Sequence, residues 1–197
     1  MQKIRECVDG FLEQQNSCFE KLSDQTEIIT KITNLLIKTR DKGKNIYVMG
    51  NGGSGSTASH FVSDLLKTAI TKGNKRFSAI SLVDNIPVIL AWSNDSSYEE
   101  IFVEQLHNLL SKGDVVIAFS GSGKSKNIIK AFKFAKKKGA YCIGFTGMNG
   151  GYFPKLSDIC CIVKNNDMLI IESAHLALCH CIINTIRKLG KPIFNYE

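Results

Sequence analysis

The chain has 197 residues, 44% hydrophobic and 22% charged, an ordinary globular composition that favours one domain over residues 1–197 with a single core. A formal net charge of +7 suits nucleic acid or small anions. No aromatic-rich RNA-binding motif or zinc-finger spacing accompanies it, no apolar run reads as a membrane span, and the charged start MQKIRECVDGF has no apolar signal core, so neither nucleic acid nor membrane is expected as a partner.

Two helical patterns open the chain, at about residues 2–22 and 25–42, with Ser23-Asp24 placed to cap the second. Residues 1–43 thus read as an N-terminal helical extension, and residues 44–197 as the core with a last helix. Strands are expected at Asn45–Gly50, Phe77–Val83, Asp114–Ser120, Ala140–Thr146 and Ile159–Val163. Most are short branched-residue runs suited to burial on both faces. Helical patterns fill the gaps at about 54–71, 98–111 and 124–138. That alternation predicts an α/β fold, a five-stranded parallel sheet between two helical layers. The third of these helices holds the densest basic stretch, KSKNIIKAFKFAKKK from Lys124 to Lys138, and its lysines share one side, as on a solvated amphipathic face. The last helix, Met168–Leu189, is apolar nearly all round yet carries Glu172, His175 and His180. Such a helix needs burial in a core or an interface, and its polar groups need partners. The seven cysteines, an odd number with no Cys-x-x-Cys pair, read as free thiols of a reducing compartment, in keeping with a cytoplasmic protein.

Four motifs carry chemistry. GNGGSGSTASHF, Gly50 to Phe61, follows the first strand and opens a helix; its glycines permit a tight turn and its free N–H groups favour an anion. The spacing Gly50, Gly52, Gly55 also matches a dinucleotide fingerprint, and Asp84 near the end of the second strand leaves a nicotinamide enzyme open. Ser120-Gly121-Ser122-Gly123-Lys124-Ser125 follows the third strand, and its hydroxyls and amides form a second anion cradle that a dinucleotide fold does not need. His60 and Asp64, four apart, share a helix face. They suit a metal, an acid–base pair or an exposed hydrogen-bonded pair, and with Glu172 and His180 they could close a metal site. Glu172 and His180 are eight apart, about 12 Å along a straight helix, so Glu172 with His175 is the easier pair by spacing alone. Asn94-Asp95 suits either a turn or cap, or contact with ligand hydroxyls.

In this order the motifs resemble the phosphoheptose isomerase group of the sugar-isomerase (SIS) family. The resemblance spans nearly the whole chain: GNGGS with its following His-Phe, Asn94 to Phe102, the serine loop, Thr-Gly-x-x-Gly-Gly at Thr146 to Gly151, and the His-bearing last helix. It implies a flavodoxin-like SIS fold, a homotetramer, and isomerisation of a seven-carbon sugar 7-phosphate through an enediolate. It further implies a Zn2+ ion on His60, Asp64, Glu172 and His180. Asp64 and His180 would handle protons, and Asn51, Gly52, Gly53, Ser54, Asp64, Asn94, Asp95, Ser120, Gly121, Ser122, Ser125 and Glu172 would contact substrate. The chain departs from the family at Asp64, where the family has Glu, and at Glu172, where it has Gln. A non-catalytic member of the fold, the DnaA initiator-associating protein, supplies the alternative of a binding module.

Overall fold

A computed structural model describes residues 1–194. Five parallel strands, β1 (Asn45–Gly50), β2 (Ser78–Ser81), β3 (Val115–Ser120), β4 (Tyr141–Gly147) and β5 (Ile159–Val163), form one sheet in the order β2-β1-β3-β4-β5. Around it lie α1 (Gln2–Glu20), α2 (Thr26–Asp41), α3 (Gly53–Ser63), α4 (Ile86–Asp95), α5 (Val103–Leu109), α6 (Lys126–Lys137), α7 (Phe153–Leu156) and α8 (Met168–Leu189). The expected three-layer αβα sandwich with its helical extension is what forms.

Strand alternation builds two cores. Ile46 and Val48 of β1 with Val115, Ile117 and Phe119 of β3 face one side, where α2, α3 and α8 pack. Tyr47 and Met49 with Val116 and Ala118 face the other, against α5 and α6. Successive residues point to opposite faces, so a strand apolar throughout is covered twice. Because α3 and α6 leave adjacent strands β1 and β3 for opposite faces, a crevice opens beyond the carboxyl ends of those strands, where ligands bind in such sheets.

Several local expectations change. Residues 21–25 form a 3₁₀ turn, and Asp24 does not cap α2; the Ser23 hydroxyl instead donates back to the Glu20 carbonyl at 2.8 Å. The helix expected to about residue 71 ends as α3 at Ser63 and continues as one wide turn over Asp64–Thr68, closed by Ala69 N–H to Asp64 O at 2.8 Å. The helix expected at 98–111 shortens to α5. Helix α4 was hidden because its residues run apolar without a helical period and none is buried in the chain. It starts at Asn85, whose side chain accepts from Val88 N–H at 3.4 Å, with Pro87 in the first turn. Although no apolar run of the sequence is expected to span a membrane, helix α8 is long and apolar enough to do so by length and composition. Half of that stretch is buried within the protein, with Ile170, Ile171, Ala174, Leu178, Ile182 and Ile186 in the first core.

Candidate active site

The loop after β1 is shaped by close approach. A Cβ on Gly50 would lie 2.3 Å from the Ser54 carbonyl oxygen, and Gly52 sits at φ +54. Both positions exclude ordinary side chains, which lets the first turn of α3 start directly under the strand end. The loop after β3 is built from its own hydroxyls. Ser120 Oγ accepts from Gly123 N–H at 3.2 Å and lies 3.3 Å from Ser125 Oγ, while Ser122 Oγ accepts from Lys124 N–H at 3.3 Å. The Thr146–Gly151 turn braces this loop. Gly147 N–H donates to Gly121 O and Tyr152 N–H to Gly123 O, both at 2.9 Å. Gly151 lies so near Ser122 that a Cβ there would come within 2.4 Å of its carbonyl oxygen.

The two loops line one cavity of about 290 Å³, walled by Asn51, Gly52, Gly53 and Ser54 on one side, Ser120, Gly121, Ser122 and Ser125 on the other, and Met168 and Glu172 of α8. The helices α3 and α6 point their amino ends at it, the arrangement that favours an anion.

Farther along α3, His60, Asp64 and His180 converge. His60 Nε2 is 3.0 Å from His180 Nε2, and Asp64 Oδ2 lies 3.4 Å and 3.9 Å from these two nitrogens. Asp64 is oriented from behind, because Thr68 Oγ1 donates to its Oδ1 at 2.8 Å, leaving Oδ2 toward the imidazoles. Thr68 falls beside Asp64 through the wide turn at 64–68, a distortion often found at functional sites. Two imidazole nitrogens and a carboxylate oxygen within 4.8 Å of one another could hold a metal ion, since nitrogen and oxygen donors at this spacing suit a divalent cation with a position left open.

Glu172 does not join this group among the described residues. Its carboxylate lies against Gly53, where a Cβ would be 2.2 Å from Oε2. Helices α3 and α8 thus run side by side in one direction, Gly53 meeting Glu172 and His60 meeting His180, and the eight-residue interval holds the two α8 side chains apart. The single chain assembles three of the four expected ligands and puts the fourth on the cavity wall. His175 turns into the core, fully buried, its ring 5.8 Å from Phe119 and 6.3 Å from Phe145, and among the described residues neither nitrogen makes a hydrogen bond of good geometry. Burial pushes its pKa down to about 4, and a backbone contact at Thr146 offsets only part of this. The easier pair by spacing is therefore not brought together at the site.

Asn94 and Asp95 end α4 as exposed residues bonded to each other, Asn94 Nδ2 to Asp95 Oδ1 at 2.7 Å, and they do not line the cavity. Asp84, which left the dinucleotide reading open, accepts a hydrogen bond from Ser59 of α3. Two residues that sequence reasoning missed touch the site from behind. Thr68, four residues past Asp64, has the ordinary helical spacing of a side-chain partner for it. Asn127 is a polar residue on the apolar phase of α6, among Ile128, Ala131 and Ala135.

The SIS domain family model matches residues 10–147. The phosphoheptose isomerase of Helicobacter pylori strain P12 is 35% identical over 178 residues, 90% of this chain and 92% of that protein. That of Burkholderia pseudomallei strain 1710b is 34% identical over 180 residues, 90% of this chain and 91% of that protein. Among solved structures, a phosphoheptose isomerase from Francisella tularensis superposes with a TM-score of 0.88 over 95% of this chain and 100% of its own, at 24% identity. One from Neisseria gonorrhoeae does so with a TM-score of 0.88 over 94% and 99%, also at 24% identity. The structural likeness speaks for the fold.

Proposed function

The chain belongs to the SIS domain family and, within it, to the phosphoheptose isomerases; from that premise we propose that it converts sedoheptulose 7-phosphate to D-glycero-D-manno-heptose 7-phosphate, feeding heptose into lipopolysaccharide or capsule. The observation that carries this reading is the single cavity walled by both loops, with the His60–Asp64–His180 group farther along α3. A phosphate fits among Ser120, Ser122 and Ser125 at the amino end of α6, and the sugar extends past Gly52, Gly53 and Glu172 toward the histidines. Binding energy at the phosphate then positions the reacting carbons. The Glu172 carboxylate on the cavity wall accepts hydrogen bonds from sugar hydroxyls.

Isomerisation requires removing a proton beside the carbonyl and returning one to the adjacent carbon, with an enediolate between. Asp64 and His180 are the proton-handling pair, both within reach of one reacting centre. Thr68 fixes the face that Asp64 presents. His60, Asp64 and His180 would hold a zinc ion, whose Lewis acidity would stabilise charge developing on the substrate oxygen. The assembled trio supports catalysis over the non-catalytic binding-module alternative.

A homotetramer is part of the proposal. Ile4, Val8 and Leu12 form an exposed apolar stripe on α1, and Ile86 and Leu90 a second on α4, surfaces that association would cover. A cytoplasmic setting accords with a phosphorylated substrate and seven unpaired thiols. The test is His180→Gln in folded, purified protein. Loss of nearly all isomerase activity is expected, and near-full activity would remove His180 from the mechanism.

A further inference from the structure

The two loops that wall the cavity are joined by one side-chain pair. Asn51, in the loop after β1, donates through Nδ2 to Asn127 Oδ1 at 3.1 Å, and Asn127 Nδ2 donates back to Asn51 Oδ1 at 2.9 Å. Asn127 lies in the first turn of α6, two residues past Ser125, and is only 2% exposed. The orientation of both amides follows from one group. Ile128 N–H can only donate, and it points at Asn127 Oδ1 at 2.9 Å, so that atom is the oxygen. The nitrogen of Asn127 must then face the oxygen of Asn51, and the Tyr98 hydroxyl, 3.0 Å from that oxygen, must donate to it. Three elements meet at this point: the β1–α3 loop, the start of α6 and the segment between α4 and α5.

No other hydrogen bond between described side chains joins the two loops. The serines bond within their own loop or to its backbone. Beyond the pairing of β1 with β3 that ends at Gly50 and Phe119, the Asn51–Asn127 pair is thus the side-chain tie between the amino end of α6, where an anion fits, and the start of α3, which carries His60 and Asp64. A displacement of about 1 Å between anchor and reacting groups can cost about a hundredfold in rate. The buried Asn127 amide, bonded through both its oxygen and its nitrogen, is costly to leave half-satisfied, so the tie is stiff.

We propose that Asn127 is a positioning residue: by pairing with Asn51, under the Tyr98 hydroxyl, it holds the phosphate end of the cavity in register with the proton-handling end. The role in turnover rests on the proposed isomerase function; the tie between the loops does not. Two measurements separate them. In hydrogen–deuterium exchange without ligand, Asn51→Ala should speed exchange across residues 121–128, on the opposite loop, and Asn127→Ala should speed it across residues 50–56. Loosening confined to the mutated loop overturns the tie. In turnover of sedoheptulose 7-phosphate, Asn127→Ala should lower kcat at least about tenfold, while the Kd for inorganic phosphate stays within about twofold because the serine cradle is intact. The double variant should be no slower than the slower single one, since each change breaks the same pair. A kcat within twofold of the parent, losses that multiply, or a weakened phosphate Kd with unchanged kcat each overturn the positioning role. If the parent protein does not turn the heptose phosphate over, the functional reading fails, and exchange alone decides the tie. Should Asn127→Ala not fold, Tyr98→Phe carries the turnover and phosphate tests with a smaller effect in the same direction, and Asn51→Ala carries the exchange test alone, because Asn51 itself lines the cavity.

Discussion

His175 offers a sharp test of the packing beneath the site. Its imidazole is wedged beside Phe119 and Phe145 with no hydrogen bond of good geometry on either nitrogen among the described residues, and burial lowers its pKa from 6.5 to about 4. The unfolded chain therefore binds a proton at this side chain between those values while the folded protein does not. Stability from this group is complete above pH 6.5 and is lost as pH falls toward 4. At about 1.4 kcal/mol per pKa unit, the full loss is roughly 3–4 kcal/mol, and most of it has gone by pH 4.5. Replacing His175 with Leu keeps an apolar group of similar size in the slot and removes the proton site. Urea unfolding followed by circular dichroism at pH 7.0 and pH 4.5 gives the two stabilities. The difference between the pH values should be smaller in His175→Leu than in the parent, by roughly 2–3 kcal/mol. At pH 7.0 the variant should lie within about 1.5 kcal/mol of the parent, as for a volume-conserving change that also removes buried polar nitrogens. Equal pH dependence in the two proteins would refute a buried, neutral His175.

The glycines of the first loop should separate by what they touch. Gly50→Ala drives a Cβ into the Ser54 backbone and should cost several kcal/mol or prevent folding, read as a fall in Tm. Gly53→Ala meets only the movable end of Glu172, so the protein should fold with a Tm near the parent's while isomerase activity falls, and Glu172→Ala combined with it should give no further loss. Among the thiols, burial pushes Cys142 and Cys161 up to about 12 and Cys179 well above the ordinary value, while Cys7 and Cys181 are exposed. N-ethylmaleimide followed by peptide mass mapping should modify Cys7 and Cys181 in the native protein, and Cys142, Cys161 and Cys179 only after denaturation.

Much of this was legible in the sequence for identifiable reasons. Strands buried on both faces, such as NIYVMG and VVIAFS, announce themselves as branched apolar runs, and glycine or serine clusters at their ends mark the ligand edge of the sheet. The convergence of His60, Asp64 and His180 could be suspected from helical spacing on α3 and from charges stranded on the apolar α8. What could not be read was the third dimension of α8. Spacing favoured His175 as the partner of Glu172, and only the packing of Phe119 and Phe145 shows that His175 belongs to the core. The parallel course of α3 and α8 separates Glu172 from His180, which one helix considered alone leaves undecided. Helix α4 lacked a clear period because its apolar residues are only partly covered within the chain: Ile89 and Trp92 pack against the second core, while Ile86 and Leu90 stay exposed. The Asn51–Asn127 pair joins residues 76 apart, a contact with no local signature beyond one polar residue on an apolar helix face.

The account stands or falls on whether a phosphate held at the serine loop delivers a carbonyl to the His60–Asp64–His180 group. The direct measurement is proton NMR of sedoheptulose 7-phosphate incubated with the protein in deuterium oxide. New anomeric signals of an aldoheptose phosphate, carrying deuterium on the carbon next to the aldehyde, are the predicted result. An unchanged ketose spectrum with folded, zinc-supplemented protein would contradict the account.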